Sequence, residues 1–367
     1  MFQQRRDLLK FLMGSAVTYP NLLRAGAGLT AATLLPGCAE NTDSGPQLPA
    51  PRVALAWIKN VEYAGLFVAE TKQYYAQEGI APIFLNGGPN APMPSVSVAA
   101  NNAQFGFDND LRRFMDAVLL GNDLVMLGAQ YQRSPGGVIS LSDRPIRKAE
   151  DLIGCRFLGQ EGVETIVDAV LKVAGLPLDY EFLPAGYSVA SLVEGQGDAY
   201  SGFAVNQPLT LEQKYGMRLN EDYFFTSWSE LGLKGYANML FCARSYLQDN
   251  FDIAVKFLKG TIQGWQFNAS NIEYGAQLVV DTHGRNLGLE LDQQLRQNEI
   301  QQPFMQSPLT QEKGIFWIDA GTLETEMYPS LKAAGRDNLP DPERLIDTSV
   351  LSAAYAELST MAGQAEI

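Results

Sequence analysis

Aromatic and polar side chains gather at the ends of short apolar runs along this chain. Trp57, Asn60, Glu62 and Tyr63 lie at or just after the run 52–58, and Gly88 falls in the turn 86–89. Asp108 and Asn109 follow 104–107, and Gly162, Glu164 and Thr165 follow 155–158. Phe203 and Asn206 come at the end of 199–203, and Tyr236 and Asn238 at the start of 236–242. Aromatic faces sandwich flat rings, each pair contributing about 0.5–1.5 kcal/mol beyond burial. The amides and carboxylates suit ring nitrogens and amino groups. A carboxylate such as Glu62 or Glu164 favours a donor-rich ring, whereas a sulfonate or nitrate wants arginine, and none lies in these loops. The set predicts capture of a neutral or cationic planar heterocycle. Trp57 has the alternative of a core residue ending its strand, and Glu164 that of a carboxylate at a helix N-terminus.

Catalytic groups are scarce. The 367 residues include one histidine, His283, and three cysteines, which leaves little for Ser-His-Asp hydrolysis or Cys/His zinc sites. The glycines around 159–162 lack the Lys-Ser/Thr of a phosphate cradle. No catalytic residue, metal or cofactor is expected. With 41 acidic against 27 basic residues the net charge is −14, which disfavours nucleic acid. Cys155 and Cys242 read as separate buried thiols, and His283 as a residue of a helix's last turn.

Those loops need a scaffold. Apolar runs at 52–58, 80–85, 104–107 and 124–129 alternate with helical patterns at 64–78, 94–101 and 110–120. A second set begins at 137–141 and continues through 155–158, 180–183 and 199–203, with helices opening near 164 and 188. A strand at 236–242 then leads into helices at 247–270, 272–283 and 292–302. Strands alternating with helices predict parallel sheets and an α/β fold. Beyond them, 316–331 reads as packing against the first set.

The first forty residues read as an address. Arg5-Arg6 followed by Leu8-Leu9-Lys10 resembles a twin-arginine export signal, and Leu35-Pro36-Gly37-Cys38 resembles a lipobox, with Cys38 the lipidated residue. Residues 1–37 then form the signal peptide and 38–51, polar and Pro-rich, a tether. A permanent span is disfavoured by Pro20 and Arg24 in a weakly apolar stretch.

Trp57-Ile-Lys-Asn-Val-Glu-Tyr-Ala-Gly-Leu-Phe-Val-Ala69, with Tyr74-Tyr75 and Glu78-Gly79-Ile80, resembles the opening of solute-binding proteins of the alkanesulfonate, nitrate and thiamine-pyrimidine type. Residues 146–154 resemble the start of that family's second lobe, and 192–208 its Asn-Glu-Pro segment, with Gln207 in place of Glu. The resemblance covers roughly 52–350. It implies a type II periplasmic binding protein with two α/β lobes and a ligand cleft between them. One lobe is expected from 52–141 with 237–350, the other from 142–236, and a tail from 351–367. Together with the lipobox it further implies a lipid-anchored, monomeric protein in the periplasm or on the outer face of the cell membrane. This protein would deliver a small ligand, a thiamine-pyrimidine precursor or a riboflavin-like ring, to the permease and ATPase of an ABC importer. Binding of an oxyanion is one alternative, and a lipid-anchored sensory pair of lobes without a transporter another. The related thiamine-pyrimidine synthase is the enzymatic alternative. Its consumed histidine falls at Tyr63 here, and of its cysteine-rich run near 237–242 only Cys242 is present.

Overall fold

A computed structural model describes residues 48–365. The expected signal peptide, Cys38 and most of the tether lie outside the described residues.

Among the described residues, ten strands form two five-stranded sheets. The first holds β1 (Arg52–Ala54), β2 (Ile83–Leu85), β3 (Phe105–Asp108), β4 (Leu124–Tyr131) and β10 (Ala237–Ala243) in the order β2-β1-β3-β10-β4. The second holds β5 (Gly136–Leu141), β6 (Arg156–Gly159), β7 (Glu181–Pro184), β8 (Ala199–Phe203) and β9 (Tyr223–Ser227) in the order β7-β6-β8-β5-β9. Each sheet has one strand against its grain. β10 is antiparallel to β3 and β4, and β5 is antiparallel to β8 and β9. The starts of these two strands therefore share an edge with the carboxyl ends of the others, where open α/β sheets bind ligands. The architecture is the expected one of two α/β lobes.

Several boundaries differ from the sequence reading. Strand 136–141, expected in the first lobe, pairs with β8 and β9 of the second sheet, so the chain crosses between sheets near Gln132–Pro135. A short strand does not reveal its sheet, because pairing is a long-range property. Strand β9 had no counterpart in the sequence pattern. The expected run 247–270 breaks at Asn250 into Arg244–Asp249 and Phe251–Ser270. The expected tail is a helix, Ser349–Ala365, whose Val350, Leu351 and Ala354 are buried in the first lobe's core. Met327, Tyr328 and Leu331 join a cluster that holds Leu124, Met126 and Phe241 of the first sheet, as expected, but also Val167 and Val170 of the second lobe.

The first lobe's main core lies between its sheet and the crossed helices Ala64–Thr71 and Phe251–Ser270. Their approach is close enough that a Cβ on Gly65 would strike the Trp265 ring. Buried Lys259, on the second of these helices, bonds Glu78 and Glu357 at 2.9 Å each, tying the last helix to this lobe.

Candidate functional site

Glu62 lies in a short turn, Val61–Tyr63, that three buried amides clamp from outside. Gln294 accepts the Val61 N–H (3.1 Å), Gln301 donates to the Val61 carbonyl (2.8 Å), and Gln130 donates to the Glu62 carbonyl (2.8 Å). The Glu62 side chain accepts from Asn238 Nδ2 at 2.9 Å. Burial pushes this carboxyl up to about 7, although the Asn238 and Tyr63 hydrogen bonds favour its charged form.

Glu62 forms part of the floor of a cleft of about 640 Å³ between the two sheets. Trp57, Gly88 and Asn109 line it from the first lobe, and Gly162, Thr165, Phe203 and Asn206 from the second, with Tyr236 where the chain returns. Nine of the fourteen residues expected from the sequence thus meet in one place. Five do not line it. Asn60 caps the Val61–Tyr63 turn through the Glu62 N–H (3.0 Å). Tyr63 is fully buried, its hydroxyl accepting the N–H groups of Ala56 and Trp57 (3.1 Å each). Asp108 is buried beneath the wall, paired with Arg113, and Asn238 supports Glu62. Glu164 is in the first turn of helix Glu164–Val173, where a carboxylate suits the helix N-terminus, makes no capping hydrogen bond, and lies outside the lining. Gln207, in the Glu position of the motif, accepts the Phe203 N–H at 2.8 Å and fixes that loop.

The strand-end loops hold no arginine, as read from the sequence, but arginines from elsewhere in the chain do line the cleft. Arg112 and Arg113 reach it from one helix, Leu111–Leu119, and Arg336 from a distant loop. Each is already engaged. Arg112 pairs with Asp110 (2.9 Å), Arg113 with Asp108 (2.6 Å) and Asn109 (2.8 Å), and Arg336 with both oxygens of Asp116 (2.7 Å each). Desolvation would raise Asp110, but Arg112 and Arg113 outweigh it and hold the carboxyl below its ordinary value. The wall is polar and internally neutralised.

Two further lining residues were not among the expected fourteen. Tyr187, in the loop after β7, places its ring 4.8 Å from that of Trp57 at a 55° tilt, one aromatic from each lobe. Gln160 is held by Gly186, Tyr200 and Ser201 (2.7–2.9 Å) at the end of β6. Gln160 lies two residues past the run 155–158 and Tyr187 four past 180–183, so both are in strand-end loops, but periodicity does not single out their side chains.

The model of the family described as NMT1/THI5 like matches residues 60–272. The chain belongs to that family. The NMT1/THI5-like chain is 23% identical over 316 residues to the riboflavin-binding protein RibY of Chloroflexus aurantiacus, covering 83% of this chain and 86% of that protein. It is 24% identical over 255 residues to a formylaminopyrimidine-binding protein of Halalkalibacterium halodurans, covering 66% and 74%. Among solved structures, the periplasmic aliphatic sulphonate binding protein SsuA of Escherichia coli matches with a TM-score of 0.61 and 16% identity, over 81% of this chain and 97% of that one. The desulfurization enzyme DSZB matches at 0.53 and 12%, over 84% and 99%. These solved structures share the periplasmic-binding-protein fold, which hosts both binding and catalysis, so the site rather than the fold distinguishes them.

Proposed function

We propose that this chain is the extracytoplasmic substrate-binding lipoprotein of an ABC importer, anchored through Cys38 and capturing a planar nitrogen heterocycle between its lobes. The observation that carries this reading is the cleft itself. It combines aromatic faces (Trp57, Tyr187, Phe203, Tyr236) with a buried carboxyl, while every arginine in it is paired with a carboxylate. A volume of about 640 Å³ is in the range of pockets that enclose drug-sized molecules. It exceeds what a small oxyanion needs and suits a flavin-sized ring better than a lone pyrimidine. The names of the two relatives, for riboflavin and for a formylaminopyrimidine, support the same ligand class. Trp57, Tyr187 and Phe203 supply stacking faces, Glu62 and Asn109 polar recognition, and Gly162 and Asn206 backbone-lined walls. The lobes, about 52–135 with 237–365 and about 136–236, close over the ligand.

A second reading, an oxyanion ligand, draws on Arg112, Arg113 and Arg336, but an oxyanion there competes with three carboxylates already in place. Catalysis of the thiamine-pyrimidine-synthase type fits poorly, since Tyr63 is buried and committed to backbone N–H groups. Native mass spectrometry of the mature protein, followed by calorimetry with riboflavin, aminopyrimidines, taurine and nitrate, tests the assignment. Tight binding of taurine or nitrate with indifference to the rings overturns it.

A further inference from the structure

The carboxyls lining the cleft differ in their surroundings. Asp110 pairs with Arg112, Asp116 pairs with Arg336, and Glu161 is exposed to solvent. Glu62 is buried, and among the described residues it has no cation beside it. The groups around it come from several elements, and all are neutral or already paired. β10 offers Asn238, and β4 offers Gln130 and the phenol of Tyr131. Its own turn adds the phenol of Tyr63. Burial, with the charge of Glu62 next, pushes both phenols well above their ordinary value, so neither ionises near neutrality. Helix Leu291–Gln301 turns the amides Gln294 and Gln301 to this turn, while its Arg296 and Glu299 pair with each other at the surface. Asp108, on the strand beside β10, is taken up by Arg113.

An ionised carboxylate accepts about four hydrogen bonds, and a buried one is costly until they are supplied. Asn238 supplies one to Oε1 and the neighbouring Tyr63 phenol a second, fewer than the charge needs. The carboxylate therefore lacks donors on the side from which a ligand arrives, and a ring N–H provides one. We propose that Glu62 couples capture to proton release: a heterocycle that donates an N–H to this carboxylate binds its ionised form, and acidification discharges that ligand. This deepens the heterocycle reading above and rests on it. Asn238 is the positioning residue, because its amide holds one carboxylate oxygen and favours the charge.

The direction follows from linkage. A ligand that prefers the ionised form lowers the Glu62 pKa on binding, so a proton leaves as it binds. Apparent affinity then falls by up to tenfold per pH unit below the free carboxyl's titration point, which burial places at about 7. A ring methylated at that nitrogen has no such slope.

The test uses the mature chain with riboflavin and with riboflavin methylated at N3, by calorimetry from about pH 5 to about pH 9, and infrared difference spectra of the unliganded protein over the same range. Riboflavin is expected to weaken by roughly tenfold per unit on the acid side, and the methylated ring to show a flat profile. The spectra are expected to show a protonated-carboxyl band that Glu62→Gln abolishes along with the slope. Asn238→Gly, which tolerates the positive φ of 46° at that position, should move the midpoint to higher pH. Absence of the Glu62-dependent band overturns the proposal whatever the ligand proves to be. A band accompanied by pH-independent riboflavin affinity overturns it as well. A band with no binding of either ring at any pH instead defeats the heterocycle reading, and the coupling to an N–H donor falls with it.

Discussion

Arg112 in the first lobe donates from Nη1 to the backbone carbonyl of Thr165 in the second at 3.1 Å, while its Nη2 stays on Asp110 at 2.9 Å. One guanidinium thus bridges the mouth of the cleft with its charge already balanced. Thr165 is in the first turn of helix Glu164–Val173, so the bond fixes how closely that helix approaches. A charge-assisted hydrogen bond contributes about 1.5–3 kcal/mol. It is lost when the lobes part.

Arg112→Gln should therefore favour the open form. Small-angle scattering should give a larger radius of gyration than the parent's, and stopped-flow should give ligand release faster by roughly ten- to a hundredfold. Association should change much less. An unchanged release rate would show that the bond does not govern closure.

Trp57 and Tyr187 should differ in weight. Trp57 is packed against the first lobe's core, whereas Tyr187 is 46% exposed and meets it at a tilt across the cleft. Trp57→Ala removes a central anchor, typically about 2–4 kcal/mol, or roughly 30- to 1000-fold in affinity. Tyr187→Ala forfeits little more than one aromatic pair, about 0.5–1.5 kcal/mol, and should cost roughly three- to tenfold. Calorimetry on both variants checks the ranking, and equal losses would refute it.

Two groups should impose opposite pH slopes on stability. For Glu62, the folded protein holds a proton that the unfolded chain has released between 4.5 and about 7, so stability falls as pH rises through that window. His283, half-buried and stacked 4.2 Å over Phe67, is depressed to about 4 by desolvation and then by Lys59. There the unfolded chain holds the extra proton between about 4 and 6.5, so stability falls as pH drops. In urea titrations without ligand, Glu62→Gln should stabilise increasingly up to about pH 8, by roughly 3 kcal/mol at most. His283→Phe should flatten the acid limb. Parallel pH curves for parent and variants would contradict these shifts.

Cys155 and Cys242 are free, buried and in different clusters. Desolvation pushes their thiols up to about 11 and about 12. Both should resist iodoacetamide in the native protein near pH 8 and react together once it is unfolded, because the thiolate is the attacking species. Peptide mass mapping before and after denaturant checks this. Rapid native labelling of either would show that its surroundings open.

Periodicity and composition alone determined the α/β class, the alternation of elements, and most of the loops that meet at the cleft. These properties are local. An apolar run makes a buried strand wherever it lies, and the residue after its carboxyl end is carried to the ligand-binding edge. Trp57, Gly162 and Phe203 were therefore legible without coordinates. The fate of Asn60, Tyr63, Asp108 and Asn238 was not, because a position in a strand-end loop does not say whether the side chain turns to the ligand or beneath it. Tertiary packing decided that. Tyr63 turned inward to satisfy two N–H groups, and Asn238 turned to Glu62. The arginines were missed for the same reason. Arg336 reaches the cleft across 220 residues of chain from its partner Asp116, and its neutralisation is a long-range pairing that no local pattern records. Likewise Gly136–Leu141 reads as a strand from its residues, but its sheet is set by hydrogen bonds to β8 and β9, which depend on the whole chain having crossed between the lobes.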